Sequence, residues 1–437
     1  MLPRIDAIPV AGLGRLDCHA VGPALWRSLT SLCGDPLRHL AAESAFLDGR
    51  FDLAIARYRR VQRDPLLVPR ARLMEDWIRF HRDDFSSGWP RYPGTEYEEP
   101  VEKAGAKTAS DVRVADPRRP GELVTQLGMR RWTWAEPLDG PLLVWFNFRD
   151  SLGGEILASR LIRSFRSLHD VPLVLASGSR LVTLFRETFK DCEVVDTSGT
   201  LDGLAGRCRR YVLARDLLGL VVRRPEDFAR PAAERLRVPP AAVVARPGTS
   251  ERPQVAISWK TTNDHQGRYR NAPVAGLARV LARHDCDWHV AQHGDPTADL
   301  ATLRRCVPAS RLHAESLHPA ADMATFAGGL TRLDAVVTVD NSLLHLAGAL
   351  GIPTLGLLTI PAYWAWPSKG PGSRWYESVR MLRQRQPGDW KAVLGELDAA
   401  LGAITHEFKC SKNGGTQSIG GASETSSRAF GRQAAAG

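Results

Sequence analysis

The stretch from Leu333 to Leu358 constrains this chain most. Ala335 to Val339 is a short β-branched run, the pattern of a strand buried on both faces. Asp340, Asn341 and Ser342 follow as three side chains able to cap a helix. From Leu343 to Leu350 the apolar residues are Leu and Ala, which favour helix, and Gly351 and Pro353 end it. Ile352 to Leu358 predicts a second buried strand. The unit is βαβ, with a polar junction at the carboxyl end of its first strand. Ligands bind at that end of open parallel sheets, and a helix N-terminus offers free N–H groups to an anion. His345 falls in the first helical turn, within reach of such an anion. The residues alone leave two readings: an anion site, or a plain cap beside a half-buried histidine.

At 437 residues the chain has room for two or three domains. A hydrophobic share of 43% and a charged share of 24% describe an ordinary globular protein. No apolar run approaches the ~20 residues of a transmembrane segment. The start, Met-Leu-Pro-Arg-Ile-Asp, lacks a signal-peptide pattern, so a cytoplasmic location is expected. The net charge of +10 invites a nucleic-acid reading, but only 8 of the 58 basic residues are Lys and the arginines are scattered. With no basic helix, zinc-finger spacing or aromatic-basic signature, nucleic acid is not an expected partner. Seven dispersed cysteines without a Cys-x-x-Cys pair suit reduced thiols and argue against a structural zinc site.

Residues 1–36 show little pattern. Residues 37–95 read as helical repeats, with Gly49 as the break between two helices. Phe51, Ala54 and Tyr58 recur 34 residues later as Phe85, Gly88 and Tyr92, which is the tetratricopeptide period. Two such units are few for a free solenoid, so they are expected to dock on the next domain or on another chain, or to receive a protein partner. Residues 96–131 read as linker.

Residues 132–245 alternate strand and helix: strand 141–148, loop 149–155, helix 156–168, strand 171–176, helix 182–189 and strand 192–195. That order implies a parallel sheet. In the loop, Gly153 and Gly154 let backbone approach a ligand, and Glu155 opens the helix where a carboxylate is comfortable. Asp150 is the other carboxylate of the loop. Between 201 and 240 helix and loop are mixed, and the Arg-rich segments read as solvated faces.

Residues 250–408 form a second α/β half. Gln254 to Trp259 is its first strand, running into a polar loop with four potential cations: Lys260, His265, Arg268 and Arg270. A diphosphate would sit at such a strand exit. Val274 to Arg283 predicts a helix and Trp288 to Gln292 a strand, after which Gln292 or His293 is placed near a nucleobase by analogy with the fold. A final helix runs from Trp390 to Leu401. The segment 409–437 is rich in Gly, Ser and Ala and reads as a disordered tail.

The segment Asp-Asn-Ser-Leu-Leu-His-Leu-Ala-Gly-Ala-Leu-Gly-Ile-Pro, from Asp340, resembles the nucleotide-sugar motif of glycosyltransferase family nine, the ADP-heptose:lipopolysaccharide heptosyltransferases. It looks most like bacterial repeat proteins carrying such a domain. Pro361 to Pro367, with Trp364 and Trp366, and the run from Ser373 resemble the same group. The resemblance implies a GT-B fold: two Rossmann-like halves preceded by tetratricopeptide-like helical repeats, the last helix often crossing back to the first half. It also implies a donor site at Asp340, Asn341, Ser342 and His345, aided by Lys260, Arg268 and Arg270. The donor substrate would be a nucleotide-diphosphate sugar, the acceptor a glycan or protein, and no metal or cofactor is called for. Family members usually read Leu-Gly-Asp where this chain has Leu152-Gly153-Gly154, so the family's proposed base is replaced by Gly154. Glu155 or Asp150 is left to take the role. A shift of one residue turns a helical side chain by ~100°, which also leaves open a glycosyltransferase-like protein without turnover, binding proteins through its repeats.

Overall fold

The structure, a computed structural model, describes residues 34–64, 67–85, 128–132, 136–146, 152–199, 202–222, 224–229, 235–243, 250–262, 267, 269–317 and 322–413. The first described elements are three helices: α1 (Asp35–Leu47), α2 (Phe51–Tyr58) and α3 (Leu67–His81). Gly49 takes a φ of 71° in the α1–α2 turn, a conformation that favours glycine. The Asp35 carboxylate accepts from the backbone amides of Gln62, Arg63 and Asp64, which pins the α2–α3 connection to the start of α1. Ala42, Ala45, Ala54, Tyr58, Ala71, Met74 and Ile78 form the core of the trio. A first helical hairpin is therefore present. Gly88 and Tyr92, which carry the repeat period, lie outside the described residues, as do residues 1–33 of the segment 1–36 expected to be irregular, most of the linker and residues 414–437; Asp35 and Pro36 of that segment open α1 instead.

The first α/β half holds β1 (Arg130–Arg131), β2 (Leu142–Trp145), α4 (Leu152–Ser159), α5 (Ile162–Leu168), β3 (Leu173–Ser177), α6 (Ser179–Thr188), β4 (Glu193–Asp196), α7 (Asp202–Ala205), β5 (Arg210–Leu213) and α8 (Asp216–Val221). Its sheet is parallel in the order β1-β5-β2-β3-β4. Two details differ from the sequence expectation. The helix expected from Ile156 begins at Leu152 and is interrupted at Arg160–Leu161, so Gly153, Gly154 and Glu155 occupy a helical turn rather than a loop. An unexpected strand, β5, lies beside the central β2. It opens on an arginine after an Arg-rich run, and only Tyr211, Val212 and Leu213 are apolar. Arg210 sits at the amino end of the strand, its side chain paired with Glu136 at 3.0 Å.

The second half contains β6 (Gln254–Ser258), α9 (Val274–Ala282), β7 (Asp287–Val290), α10 (Thr297–Arg304), β8 (Leu312–His313), α11 (Met323–Thr331), β9 (Ala335–Val339), α12 (Ser342–Leu350), β10 (Thr354–Leu358), β11 (Val379–Arg383) and α13 (Trp390–Asn413). Its sheet is also parallel, in the order β11-β10-β9-β6-β7-β8. The direction of winding reverses between β6 and β9, which is where a parallel sheet opens a crevice at its carboxyl edge. The αL cap at Gly351 has a φ of 78°. The last helix runs on to Asn413, so residues 409–413 belong to it and not to the tail. It does not cross back: Val393, Leu397 and Leu401 pack into the second half's own core with Leu277, Leu281 and Val255, and Asp398 accepts from His284 and Arg283 of that half.

One apolar core joins the parts, running from Phe80 and Phe85 through Phe146, Ile156 and Phe185 to Phe326, Leu344, Trp366 and Tyr376. The segment 235–243 threads along it: Leu236 N–H donates to Ala349 O at 2.9 Å, and Arg237 N–H to Thr188 Oγ1 at 2.9 Å. A Cβ at Gly328 of α11 would fall 1.8 Å from Ala242 O, so only glycine admits this segment. Among the described residues no helix is long and apolar enough to cross a membrane.

Candidate active site

The carboxyl edge of the second sheet brings the motif residues together. Asn341 is the N-cap of α12: its Oδ1 accepts from Leu343 N–H at 3.0 Å and from Thr338 Oγ1 at 3.0 Å. Its Nδ2 donates to Ser258 Oγ at 3.0 Å, tying the exits of β9 and β6, the two strands of the switch point. Ser342, half-buried, is the first residue of the helix. Asp340 is 3% exposed. Its Oδ1 accepts from Trp366 Nε1 at 2.9 Å, and its Oδ2 lies 3.5 Å from Arg270 Nη1.

His345 is 5% exposed. Its ring stacks on Trp366 at 4.9 Å between centroids, and its Nδ1 is 3.1 Å from Tyr376 Oη. Burial pulls its pKa down to about 4; Arg270 acts in the same direction and Asp340 opposes. His345 is therefore neutral at physiological pH. On its remaining side stands Gly153 of α4, so close that a Cβ there would come within 2.7 Å of His345 Cδ2. The two halves meet at these two helix starts, and the pair of small and ring residues explains why Gly153 must be glycine.

Other expected donor residues are divided by the structure. Arg270 reaches the motif and also lies over the Tyr363 ring at 6.0 Å. Lys260 turns the other way, its Nζ donating to Asp299 Oδ2 at 2.8 Å and to Asp295 O at 2.9 Å. Gln292, expected near a nucleobase, is engaged within the fold. Its Oε1 accepts from the amides of Trp259 and Lys260 and from Ser258 Oγ, and its Nε2 donates to Lys260 O and His293 O. Every one of these bonds is internal, so this buried amide shapes the β6 exit. Arg268 and Asp150 lie outside the described residues. Trp364 and Trp366 are both buried: Trp366 is inside the motif, and Trp364 packs on Phe80 of α3 at 5.6 Å.

Across the interface, Glu155 points to the carboxyl edge of the first sheet. Ser177 Oγ, at the end of β3, donates to its Oε2 at 3.3 Å. Burial raises its pKa to about 8, against the opposing pull of Ser177 and of Arg180 at the start of α6. A carboxyl group raised this far titrates near neutral pH, the condition for proton transfer there. Sequence reasoning assigned no role to Ser177, Arg180 or Tyr376. Tyr376 lay in a recognised segment, but nothing local signals that its hydroxyl meets a histidine 31 residues away. No cluster of three His, Cys, Asp or Glu side chains able to hold a metal occurs among the described residues.

Two parallel α/β sheets, with a polar switch point at the carboxyl edge of the second, place the chain in the α/β class. Residues 212–378 match the model of glycosyltransferase family 9 (heptosyltransferase). Protein FlbA of Caulobacter vibrioides is 25% identical over 293 residues, covering 62% of this chain and 48% of FlbA. The chain thus spans about half the length of that relative. Two solved structures are also similar. The ADP-heptose lps heptosyltransferase II of E. coli has a TM-score of 0.42 and 13% identity, covering 60% of this chain and 98% of its own. A family 9 glycosyltransferase of Veillonella parvula has a TM-score of 0.44 and 10% identity, covering 62% and 98%.

Proposed function

We propose that this chain is a glycosyltransferase of GT-B type that moves a sugar from a nucleotide-diphosphate donor to a hydroxyl of a glycan or protein. The observation that carries the reading is the juxtaposition, within the family-matched stretch, of Arg270, Asp340 and Ser342 at the β6/β9 switch point. A diphosphate there would lie against the start of α12 and the Arg270 guanidinium, which together stabilise the negative charge that develops on the leaving group. That role requires no metal. In the transfer, the acceptor oxygen bonds to the anomeric carbon as the bond from that carbon to the phosphate oxygen breaks. The hydroxyl proton passes to the Glu155 carboxylate.

The base must be ionised to accept that proton, and Glu155 titrates at about 8, so the rate should climb with pH up to that value. The test is a thermal-shift titration with ADP, UDP and GDP. A ligand at 100 times its dissociation constant stabilises by about 2.7 kcal/mol. One nucleotide should raise the Tm of wild type and leave Arg270→Ala unmoved. If none of the three shifts wild type, the donor site is wrong.

A second reading has its own support. Asn341 Oδ1 already takes the Leu343 amide at 3.0 Å, and His345 is sealed between Trp366, Tyr376 and Gly153. Both features suit a glycosyltransferase-like scaffold without turnover, with the N-terminal helices holding a protein partner. Nucleotide binding without donor cleavage, unchanged in Glu155→Gln, would select it.

A further inference from the structure

The N-terminal helices do more than rest against the second half. They reach the segment 360–376, which separates β10 from β11 and carries the aromatic residues of the site. Trp77 meets Tyr363 at 5.5 Å, and Phe80 meets Trp364 at 5.6 Å. Asp83 pairs with Arg374, whose guanidinium also lies 5.3 Å over the Phe85 ring. At the centre is His81, the last residue of α3. Its Nδ1 is 2.8 Å from Trp366 O, and its own carbonyl accepts from Ser368 N–H at 2.8 Å.

Trp366 is the hinge of the arrangement. Its backbone is held from the helical side, while its side chain does two things on the other: Nε1 donates to Asp340 Oδ1 at 2.9 Å, and the indole stacks on His345 at 4.9 Å and 26°. Because Trp366 O can only accept, His81 Nδ1 carries the hydrogen. The ring is neutral, since burial and the charges of Arg383, Arg374 and Arg82 pull its pKa to about 4. His81 is thus a fixed single-tautomer donor, buried 7% exposed, with one partner set by geometry.

We propose that His81 is a positioning residue for the donor site: it holds Trp366 by the backbone carbonyl, and Trp366 in turn fixes the Asp340 carboxylate and the His345 ring. The N-terminal helices are then a working part of the site. For its effect on donor binding the inference rests on the reading above, whereas the coupling itself rests on the contacts just given. Around His345 the charged or titratable groups are Asp340, Arg270 and Tyr376, with Gly153 closing the side toward the first half.

The test uses the full chain. The His345 ring is followed by NMR through a pH titration in wild type, His81→Leu and His81→Asn, and the same proteins are titrated with ADP, UDP and GDP by calorimetry. Leucine keeps the apolar contact with Phe51 but cannot donate; asparagine places an amide N–H where Nδ1 stood. In His81→Leu the His345 midpoint should rise from about 4 toward its ordinary value of 6.5, and nucleotide affinity should fall roughly tenfold. His81→Asn should restore both. Trp366→Phe, which keeps a stacking ring and breaks the next link, carries the same expectation should His81→Leu not fold. A folded His81→Leu with an unmoved His345 midpoint overturns the proposal. A wild type that binds none of the three nucleotides sinks the donor reading, and the ring titration then decides the coupling by itself.

Discussion

The two helix starts that face each other across the interface are built in opposite ways. At α12 the polar groups are largely engaged: Asn341 caps the helix, Asp340 accepts from Trp366 at one oxygen and lies 3.5 Å from Arg270 at the other, and His345 is stacked and bonded. At α4 two glycines leave the backbone bare and one carboxyl group, Glu155, has a single 3.3 Å bond to Ser177. Burial acts on both and keeps both uncharged at neutral pH, the histidine by lowering its pKa to about 4 and the glutamate by raising its pKa to about 8. On the proposed reading, the second half would hold a ligand in place and the first half would exchange a proton.

The heaviest blow to that contrast should be Trp366→Ala. It empties a fully buried indole site and strips Asp340 of its donor, so a loss of about 3–5 kcal/mol is expected in denaturant unfolding. Gly153→Ala comes next. Its Cβ meets His345 Cδ2 at 2.7 Å, and relieving that overlap should cost about 1–3 kcal/mol. A Tm equal to wild type would show that the two helix starts are less tightly apposed than drawn.

Stability against pH should separate the sides by sign. His345 and His81 bind a proton more weakly folded than unfolded, so their contribution is complete above 6.5 and is lost as pH falls toward 4. Glu155 binds its proton more tightly when folded, so its contribution is complete below 4.5 and is lost as pH rises through 8. Glu155→Gln should therefore melt level with wild type at pH 5 and above it at pH 9; the reverse order would refute the burial assigned to this carboxyl group. The smallest effect is Lys260→Met. Its pair with Asp299 is a quarter exposed on each side, and its loss should cost about 0.5–1 kcal/mol. A much larger fall in nucleotide affinity than in stability would return Lys260 to the donor site despite its present partner.

Much of this architecture was legible in the sequence where pattern and chemistry agree. Ala335–Val339 is a strand from end to end as expected, because a β-branched run bounded by a capping triplet has few alternatives. β5 escaped because four residues opening on arginine carry too little periodicity, and its identity as a strand comes from β2 and β1 on either side. The Gly153-Gly154-Glu155 turn was misread because glycine suggests a loop; here Gly153 is helical and is glycine for the sake of His345, a residue far along the chain. Gln292 shows the same limit. Its residue type suits base recognition, but its neighbours, the amides of Trp259 and Lys260 and the carbonyl of His293, are fixed only once β6 and β7 are side by side.

The segment 235–243 bears on how the protein can be taken apart. Its Leu236 amide is bonded to α12, its Arg237 amide to α6, and its Ala242 carbonyl is seated on Gly328 of α11. Although it joins the halves in sequence, it behaves as a spline driven between them. A fragment trimmed to begin at β6 would leave the small-residue face of α11 bare and prone to self-association, whereas one begun at Arg235 would carry its own cover.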